Sequence, residues 1–260
     1  MSRVLTPIGP TTSTIEGAIY GLTLSGKYWH VELLDFLTKQ GFKQSKVDPA
    51  LMIRRDENGN FIKLINYVDD MLYYGNSEIE ELKFVKEIKN QFNVTDLGAA
   101  TWYLGVQLKR LGKDYVVDQT RYLTHFLNSM RNKFGKLKKR TTPLPTDFVP
   151  TKKDCALTAE EQAQVQERFG GINYRSVIGG ILYASGGTRP DVTFAVGKLA
   201  KFSNNPGMKH FRALHWLVSY IDTTCQRGVR FYHNPEESPI HKLLVRNKIT
   251  IPKDGLVTFS

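Results

Sequence analysis

Cysteine is scarce in this sequence: among 260 residues there are only two, Cys155 and Cys225. Neither lies in a Cys-x-x-Cys motif or a Cys/His cluster, which excludes a disulfide framework and argues against a zinc site. No apolar run approaches the roughly 20 residues that span a bilayer. Residues 1–14 are rich in threonine and proline and lack the apolar stretch of a signal peptide. We therefore expect an intracellular protein, cytoplasmic or nuclear, that is not secreted and has no membrane partner.

Acidic residues are in the minority. Lys and Arg number 36 against 25 Asp and Glu, so the formal net charge is +11. With 41% hydrophobic and 23% charged residues, the composition is that of a folded protein, and the length allows one large domain or two small ones. Since Lys and Arg displace counterions from phosphates, nucleic acid is the leading class of partner. The alternative is a merely basic surface.

The positive charge is concentrated in one stretch. Between Arg131 and Lys153 the only acidic residue is Asp147, and three prolines in this stretch cannot lie inside a helix. We interpret residues 136–157 as a basic, extended linker and a candidate boundary. The cations predicted to contact nucleic acid are Lys133, Lys136, Lys138, Lys139 and Arg140.

Apolar periodicity and turn signals predict an α+β region followed by a mostly helical region. Asn58-Gly59 supplies the positive φ that a tight hairpin needs. Ser77 with Glu80 three residues later is a capping box that begins a helix, and Thr158 with Glu161 begins another. The predicted strands are 51–54, 61–68, 71–74, 102–109 and 115–118, and the predicted helices include 28–39 and 120–134.

Two adjacent carboxylates, Asp69 and Asp70, interrupt the apolar hairpin predicted between residues 61 and 74. Such a pair is unfavourable unless water or a cation faces it. An ordinary solvated turn is one explanation, because aspartate is favoured in turns. The other is a divalent cation: Mg²⁺ prefers carboxylate oxygens, and two such ions can activate a hydroxyl and stabilise a leaving pyrophosphate. Asp69 and Asp70 are therefore the candidate catalytic and metal-binding residues.

The segment Ile65-Asn-Tyr-Val-Asp-Asp-Met-Leu-Tyr-Tyr-Gly75 resembles the catalytic hairpin of reverse transcriptases. Its surroundings resemble the copia-type (Ty1/copia) retrotransposon polymerase. The pieces that carry the resemblance include Ala18 to Leu22 followed by Trp29, Asp96-Leu97-Gly98, and Thr188-Arg189-Pro190-Asp191. Together the matching pieces extend over roughly residues 15 to 233.

This resemblance implies a fold and a domain order. The expected fold is a polymerase palm-like antiparallel sheet with packed helices, followed by a mostly helical thumb and connection region. The implied domains are a partial palm at 15–118, a thumb helix with the basic linker at 119–157 and a connection-like region at 158–235, with 1–14 and 236–260 outside the match.

The resemblance also implies an activity, RNA-directed DNA synthesis within an integrase–polymerase polyprotein, with Mg²⁺ or Mn²⁺ as cofactor. Its partners would be an RNA or DNA template–primer, bound without sequence specificity and in a salt-dependent way, and other segments of the polyprotein. Asp69 would ligate the metal beside Asp70, and Tyr67 would lie beneath the primer end. The residues on the nucleotide and template side would be Tyr20, Gly21, Ser25, Trp29 and this same Tyr67.

The sequence departs from the family pattern in three places. The family has another metal-binding aspartate upstream, but residues 1–15 contain no Asp or Glu, and Asp35 and Asp48 are not expected to substitute. Thr23 and Leu24 stand where Lys and Gln are usual, and residues 240–260 lack RNase H acidic motifs. We therefore expect a fragment with impaired or no catalysis by itself. The alternatives are a polymerase completed by another chain, a non-catalytic nucleic-acid-binding remnant, and a protein-interaction module.

Overall fold

The computed structural model describes residues 3–7, 25–68, 70–239, 241 and 246. The chain divides into two units, residues 1–103 and 104–260, and each has its own apolar core. Both units combine α-helices with antiparallel strands, which confirms the predicted α+β class. No helix in the described part of the chain is long and apolar enough to cross a membrane.

The described residues of the first unit form a six-stranded sheet, two helices and one further short strand. The elements in chain order are β1 Arg3–Pro7, α1 Ser25–Lys39, β2 Lys43–Gln44, β3 Leu51–Arg55, β4 Phe61–Tyr67, β5 Asp70–Gly75, α2 Glu78–Gln91, β6 Val94–Ala99 and β7 Trp102–Tyr103. The sheet has the strand order β2-β3-β4-β5-β1-β6, and neighbouring strands are antiparallel; β7 is not part of it.

Side chains along β3, β4 and β5 alternate between buried and more exposed positions, so the two faces of this sheet differ. One face packs against Leu33 and Leu37 of α1 and Phe84 and Ile88 of α2, and we call it the helix-covered face. Its strand residues are Met52, Ile62, Leu64, Met71 and Tyr73, all buried. The opposite residues are half-buried or exposed, and we call this side the open face; it comprises Leu51, Ile53, Arg55, Phe61, Lys63, Ile65, Tyr67, Asp70, Leu72 and Tyr74.

Strand β1 was not anticipated from the sequence, which placed residues 1–14 outside the match. It lies between β5 and β6, with Val4 opposite Leu72 and Leu5 opposite Met71. Leu5 is fully buried in the core of the first unit. The N-terminal segment therefore contributes a central strand, and that strand is the direct neighbour of β5.

The second unit begins with strands and continues as helices. β9 pairs with both β8 and β10, which places β10 against a strand more than a hundred residues earlier in the chain. The elements are β8 Val106–Leu111, β9 Asp114–Asp118, α3 Thr120–Phe134, α4 Ala159–Arg168, α5 Tyr174–Gly187, α6 Thr193–Ala200, α7 Met208–Thr223 and β10 Val229–Phe231.

Two details of the second unit differ from the prediction. The strand predicted at 102–109 is interrupted, because Leu104 and Gly105 have φ values of 48° and 79°, which no strand residue adopts. Strand β10 was not predicted; with only three residues it is too short to produce a recognisable alternation.

Helix α3 shares one core with the later helices. Leu123, Leu127 and Met130 pack with residues of α5, α6 and α7. The segment after α3 also contacts this core through Leu137, Leu144 and Phe148. The domain boundaries drawn from the sequence stay predictions, whereas the structure itself divides the chain after Tyr103.

Candidate active site

The tip of the β4–β5 hairpin is a two-residue turn. Tyr67 pairs with Asp70, and Val68 is the described residue between them. Asp69 lies outside the described residues. Val68 has φ 52°, as two-residue hairpin turns require at their first central position. For a β-branched residue this left-handed conformation costs about 1–2 kcal/mol, so the surrounding structure must hold it.

Trp29 on α1 contributes to holding that turn. Its indole Nε1–H donates a hydrogen bond of 2.8 Å to the carbonyl oxygen of Val68. The Trp29 ring also meets Phe92 edge-on, with ring centroids 5.1 Å apart, and Phe92 meets Phe36 in the same manner at 5.2 Å. The Trp29 indole therefore joins α1 to the hairpin tip.

The structure describes three of the five residues predicted on the nucleotide and template side. Trp29 lies at the hairpin, and Ser25 is the first residue of α1. Tyr20 and Gly21 lie outside the described residues. Tyr67, the predicted floor of the site, is directly opposite Asp70 and 59% of it is exposed.

Tyr103 is a neighbour of the tip that the sequence analysis did not assign to the site. Its hydroxyl donates a long hydrogen bond of 3.5 Å to the backbone carbonyl of Asp70. Burial, reinforced by the negative charge of Asp70, raises the pKa of Tyr103 to about 12. Tyr103 therefore remains a neutral donor at physiological pH.

The sequence offers two adjacent carboxylates in this hairpin, Asp69 and Asp70. An adjacent carboxylate pair suits a single hydrated Mg²⁺, which commonly takes one or two protein carboxylates. A two-ion site needs carboxylates from both sides of the ions. Strand β1, beside β5, contains no acidic residue. Asp35 forms an ion pair with Lys39 at 2.6 Å, and the Asp48 carboxylate accepts a hydrogen bond from Ala50 N–H.

Among the described residues, which do not include Asp69, no group of three or more His, Cys, Asp or Glu side chains could hold a metal ion. Asp35 and Asp48, which were not expected to substitute for the upstream aspartate, have partners of their own, and the candidate ligands stay the two aspartates predicted from the sequence, Asp69 and Asp70.

The predicted nucleic-acid contacts lie in the second unit, in what we call the basic segment, residues 133–140. Lys133 is in the last turn of α3, and Lys136, Lys138 and Lys139 follow it, all exposed. Arg140 differs from them: its guanidinium carbon lies 3.4 Å from the centroid of the Trp216 ring. This half-buried arginine packs on α7, while the lysines face solvent.

Helix α7 holds the segment in place through backbone contacts. Arg140 N–H donates to Thr223 Oγ1 at 3.1 Å, and the Trp216 indole donates to the carbonyl of Thr142 at 2.9 Å. The predicted linker is therefore irregular in secondary structure but is attached to a helix. An attached segment presents its lysines at less entropic cost to a ligand than a free one.

With the hairpin and the basic segment described, comparison with known proteins identifies the class. Residues 11–146, half of the chain, match the family described as reverse transcriptase (RNA-dependent DNA polymerase). The chain belongs to this family, which confirms the relationship inferred from the Tyr67-Val68-Asp69-Asp70 segment.

Individual relatives narrow the class. The chain is similar to the retrovirus-related Pol polyprotein from transposon TNT 1-94 of Nicotiana tabacum, with 31% identity over 81% of this chain and 16% of the relative. It is also similar to the Pol polyprotein from transposon RE1 of Arabidopsis thaliana, with 28% identity over 83% of this chain and 14% of the relative. Both confirm the copia-type resemblance.

A shorter relative is an uncharacterized mitochondrial protein of Arabidopsis thaliana, with 27% identity over 66% of this chain and 65% of that protein. The chain thus spans about one sixth or less of the two polyproteins. No solved structure matches it.

Proposed function

We propose that this chain is a nucleic-acid-binding reverse transcriptase domain that holds one divalent cation, Mg²⁺ or Mn²⁺, at Asp69 and Asp70. By themselves its 260 residues do not extend a primer. One observation carries the proposal: β1 lies directly beside β5, the strand that Asp70 begins, and β1 contributes no carboxylate.

The chemistry explains why one strand matters. Nucleotidyl transfer needs the attacking hydroxyl and the leaving pyrophosphate in line, with charge neutralised at both oxygens. A single hairpin supplies carboxylates from one side only. A cation held in this way is bound weakly, and nothing on β1 fixes a second ion at the separation of roughly 3.5–4 Å that two-ion sites use.

Template–primer binding is the part of the family function that this proposal keeps. The exposed lysines of the basic segment would contact phosphates, which positions a duplex without reading its sequence. Tyr67, exposed beside Asp70, would lie beneath the primer end. Such binding depends on counterion release and therefore weakens steeply with salt.

Two of the relatives are named as retrovirus-related Pol polyproteins, which supports a polyprotein as the setting in which this chain acts. In this proposal the chain acts beside other segments of a retrotransposon polyprotein, in the cytoplasm or the nucleus. A divalent cation and a template–primer are its ligands.

A primer-extension assay tests the catalytic half of the proposal. The chain is incubated with a labelled primer on an RNA template, nucleotides and Mg²⁺, and then with Mn²⁺, beside the Asp69→Asn variant. We expect no extension above background from either protein. Extension by the unaltered chain that the Asp69→Asn variant abolishes would show that the site is complete, and this half of the proposal would be wrong.

Duplex binding tests the other half. We expect Lys136, Lys138 and Lys139, changed together to Gln, to make the slope of log affinity against log salt shallower by about 2–3, since each phosphate contact contributes about 0.9. The matched control changes Lys83, Lys86 and Lys89 of α2 to Gln and removes the same charge. Equal losses in both triple variants would contradict a role for the basic segment.

A further inference from the structure

The open face of the first unit carries a cluster of rings and cations far along the sheet from the hairpin tip. The cluster comprises Arg55, Phe61, Lys63 and Tyr74. Strand register places them side by side: Arg55 is opposite Phe61, and Lys63 is opposite Tyr74. Lys43 extends the second of these rows through Ile53.

The groups in this cluster are within contact distance of one another. The rings of Phe61 and Tyr74 have centroids 5.7 Å apart and are tilted by 58°. The Arg55 guanidinium carbon lies 5.6 Å from the centroid of the Phe61 ring, and Lys63 Nζ lies 5.3 Å from it. Two cations therefore share one aromatic ring, an arrangement that cation–π attraction stabilises.

The side chains of the cluster are accessible, although Phe61 is half-buried. Tyr74 is 42% exposed, and Lys63 and Arg55 are exposed. Among the described residues, no ion pair involves Lys43, Arg55 or Lys63. Asp70 is the only carboxylate among the open-face residues of β3, β4 and β5, and it lies at the other end of β5.

The cluster is separate from the hairpin tip. Tyr74 follows Asp70 by four residues along one strand, which corresponds to about 13 Å at the usual rise of a β-strand. A duplex end placed over Tyr67 and Asp70 would therefore not need to cover the rings of Phe61 and Tyr74, which remain available to another part of a ligand.

We propose that this cluster binds single-stranded nucleic acid, with bases stacked on Phe61 and Tyr74 and phosphates paired with Lys43, Arg55 and Lys63. An exposed sheet bearing aromatic rings among cations is the form of platform on which unpaired bases stack. Paired bases are already stacked within a duplex and do not offer their faces. The site requires neither the metal nor the basic segment of the proposed function.

Binding of a labelled oligo(dT), measured by fluorescence anisotropy, tests this site. We expect Tyr74→Thr to weaken binding at least about fivefold, since each base stacked on an aromatic ring contributes about 1–3 kcal/mol. The matched control Tyr74→Phe keeps the ring and retains the affinity. If both variants bind as the unaltered chain does, Tyr74 is not a stacking residue and the proposal fails.

Charge reversal provides a second test that does not alter a ring. The double variant Arg55→Glu with Lys63→Glu should weaken oligo(dT) binding at least tenfold and make the salt slope shallower by about 1.4, at about 0.7 per single-strand phosphate contact. The control, Lys86→Glu with Lys89→Glu on α2, makes the same change of charge behind the sheet. Equal weakening by the two pairs would overturn the proposal.

Photocrosslinking locates the ligand. A short single strand carrying 5-iodouracil should crosslink to Phe61 or Tyr74, as identified by peptide mass spectrometry. Crosslinks confined to residues 131–153, lost when Lys136, Lys138 and Lys139 are changed to Gln, would mean that single strands bind at the basic segment instead. The duplex experiment tests only the basic segment, so a negative result there does not affect the crosslinks expected at Phe61 or Tyr74. The proposed function and the single-strand site can therefore be disproved independently.

Discussion

At the scale of single residues, the hairpin tip depends on one strained residue and one indole. Val68 adopts φ 52°, which an isolated valine avoids, and its carbonyl accepts the hydrogen bond from Trp29. Backbone strain of this kind persists only where neighbouring structure over-determines it, and it is concentrated at functional sites. Trp29 is therefore a positioning residue for the loop that contains Asp69.

We expect Trp29→Phe to loosen that loop. The variant keeps the ring packed on Phe92 and removes the donor to the Val68 carbonyl, at a cost of about 1 kcal/mol in the free energy of unfolding. Hydrogen exchange of the amides of Asp70 and Met71 should accelerate. The control Trp216→Phe loses a similar bond, to Thr142 in the second unit, and should leave these amides unchanged. Unchanged hairpin exchange in Trp29→Phe would contradict the positioning role.

At the scale of secondary-structure elements, a buried arginine joins the ends of three helices. Arg189 is 1% exposed, and its guanidinium donates two hydrogen bonds of 2.9 Å to Asp191. It also donates to the carbonyl and hydroxyl oxygens of Thr224, while the Tyr220 hydroxyl donates to Asp191 at 2.8 Å. The end of α5, the start of α6 and the end of α7 therefore share one polar network.

The ionisation of Asp191 depends on the same network. Burial opposes its charged form, but the bonds from Arg189 and Tyr220 outweigh burial and lower the pKa of this carboxyl. The family-like motif Thr188-Arg189-Pro190-Asp191 thus has a structural role in this chain. It supplies two members of the polar network, Arg189 and Asp191, that joins the helix ends.

We expect Arg189→Met to reduce the free energy of unfolding by about 2–4 kcal/mol, because it leaves the Thr224 carbonyl and one side of Asp191 without their donors. Chemical denaturation measures this change. The surface control Arg175→Met, which loses only a bond to Asn204, should remain within about 0.5 kcal/mol. A near-neutral Arg189→Met would mean that the network contributes little to stability.

At the scale of the whole molecule, the chain has two separate apolar cores, and helix α7 of the second unit carries one buried histidine, His210, and one half-buried histidine, His215. His210 is fully buried; its Nδ1 accepts a hydrogen bond from Gly207 N–H, and Nε2 is among the buried atoms without a partner. Burial lowers the pKa of His210, and burial together with the charges of Arg140 and Lys138 lowers that of His215. Both therefore resist protonation in the folded state.

The stability of the second unit should consequently fall with acidification. Because the pKa of His210 is lower in the folded chain than in the unfolded chain, the unfolded chain binds more protons once the pH drops below the ordinary histidine value of 6.5. The stabilisation that is present above pH 6.5 is therefore lost as the pH falls below it. We expect urea denaturation, followed by exchange of the α7 amides, to show lower stability at about pH 5 than at about pH 7.5. His210→Gln should reduce this difference, and exposed His125→Gln should not. A difference that His210→Gln leaves intact would exclude His210 as its source.

Much of the local structure could be predicted because its signals are contiguous. Helix α3 begins and ends where predicted, at Thr120 and Phe134, and Ser77 caps α2 by accepting from Glu80 N–H. The two strands that were not predicted depend on partners that are distant in the sequence. Strand β1 forms by pairing with β5 and β6, and β10 forms by pairing with β9, and in each case the partner strands are remote in the sequence.

The candidate site divides in the same way. The Asp69-Asp70 pair and its hairpin were recognisable from residue types alone, since carboxylates between two apolar strands require an explanation. The contact of Trp29 with Val68 joins residues 39 positions apart, and that of Tyr103 with Asp70 joins residues 33 apart. No spacing rule relates such pairs.

By itself, the sequence determined the family, the α+β class, the hairpin with its two aspartates and the basic segment, because short-range patterns and motif order encode all of these. Only the tertiary structure decided which strand flanks Asp70, which indole holds the tip, and which rings and cations meet on the open face. Those relations arise from strand register and helix packing, which bring together side chains that are remote along the chain.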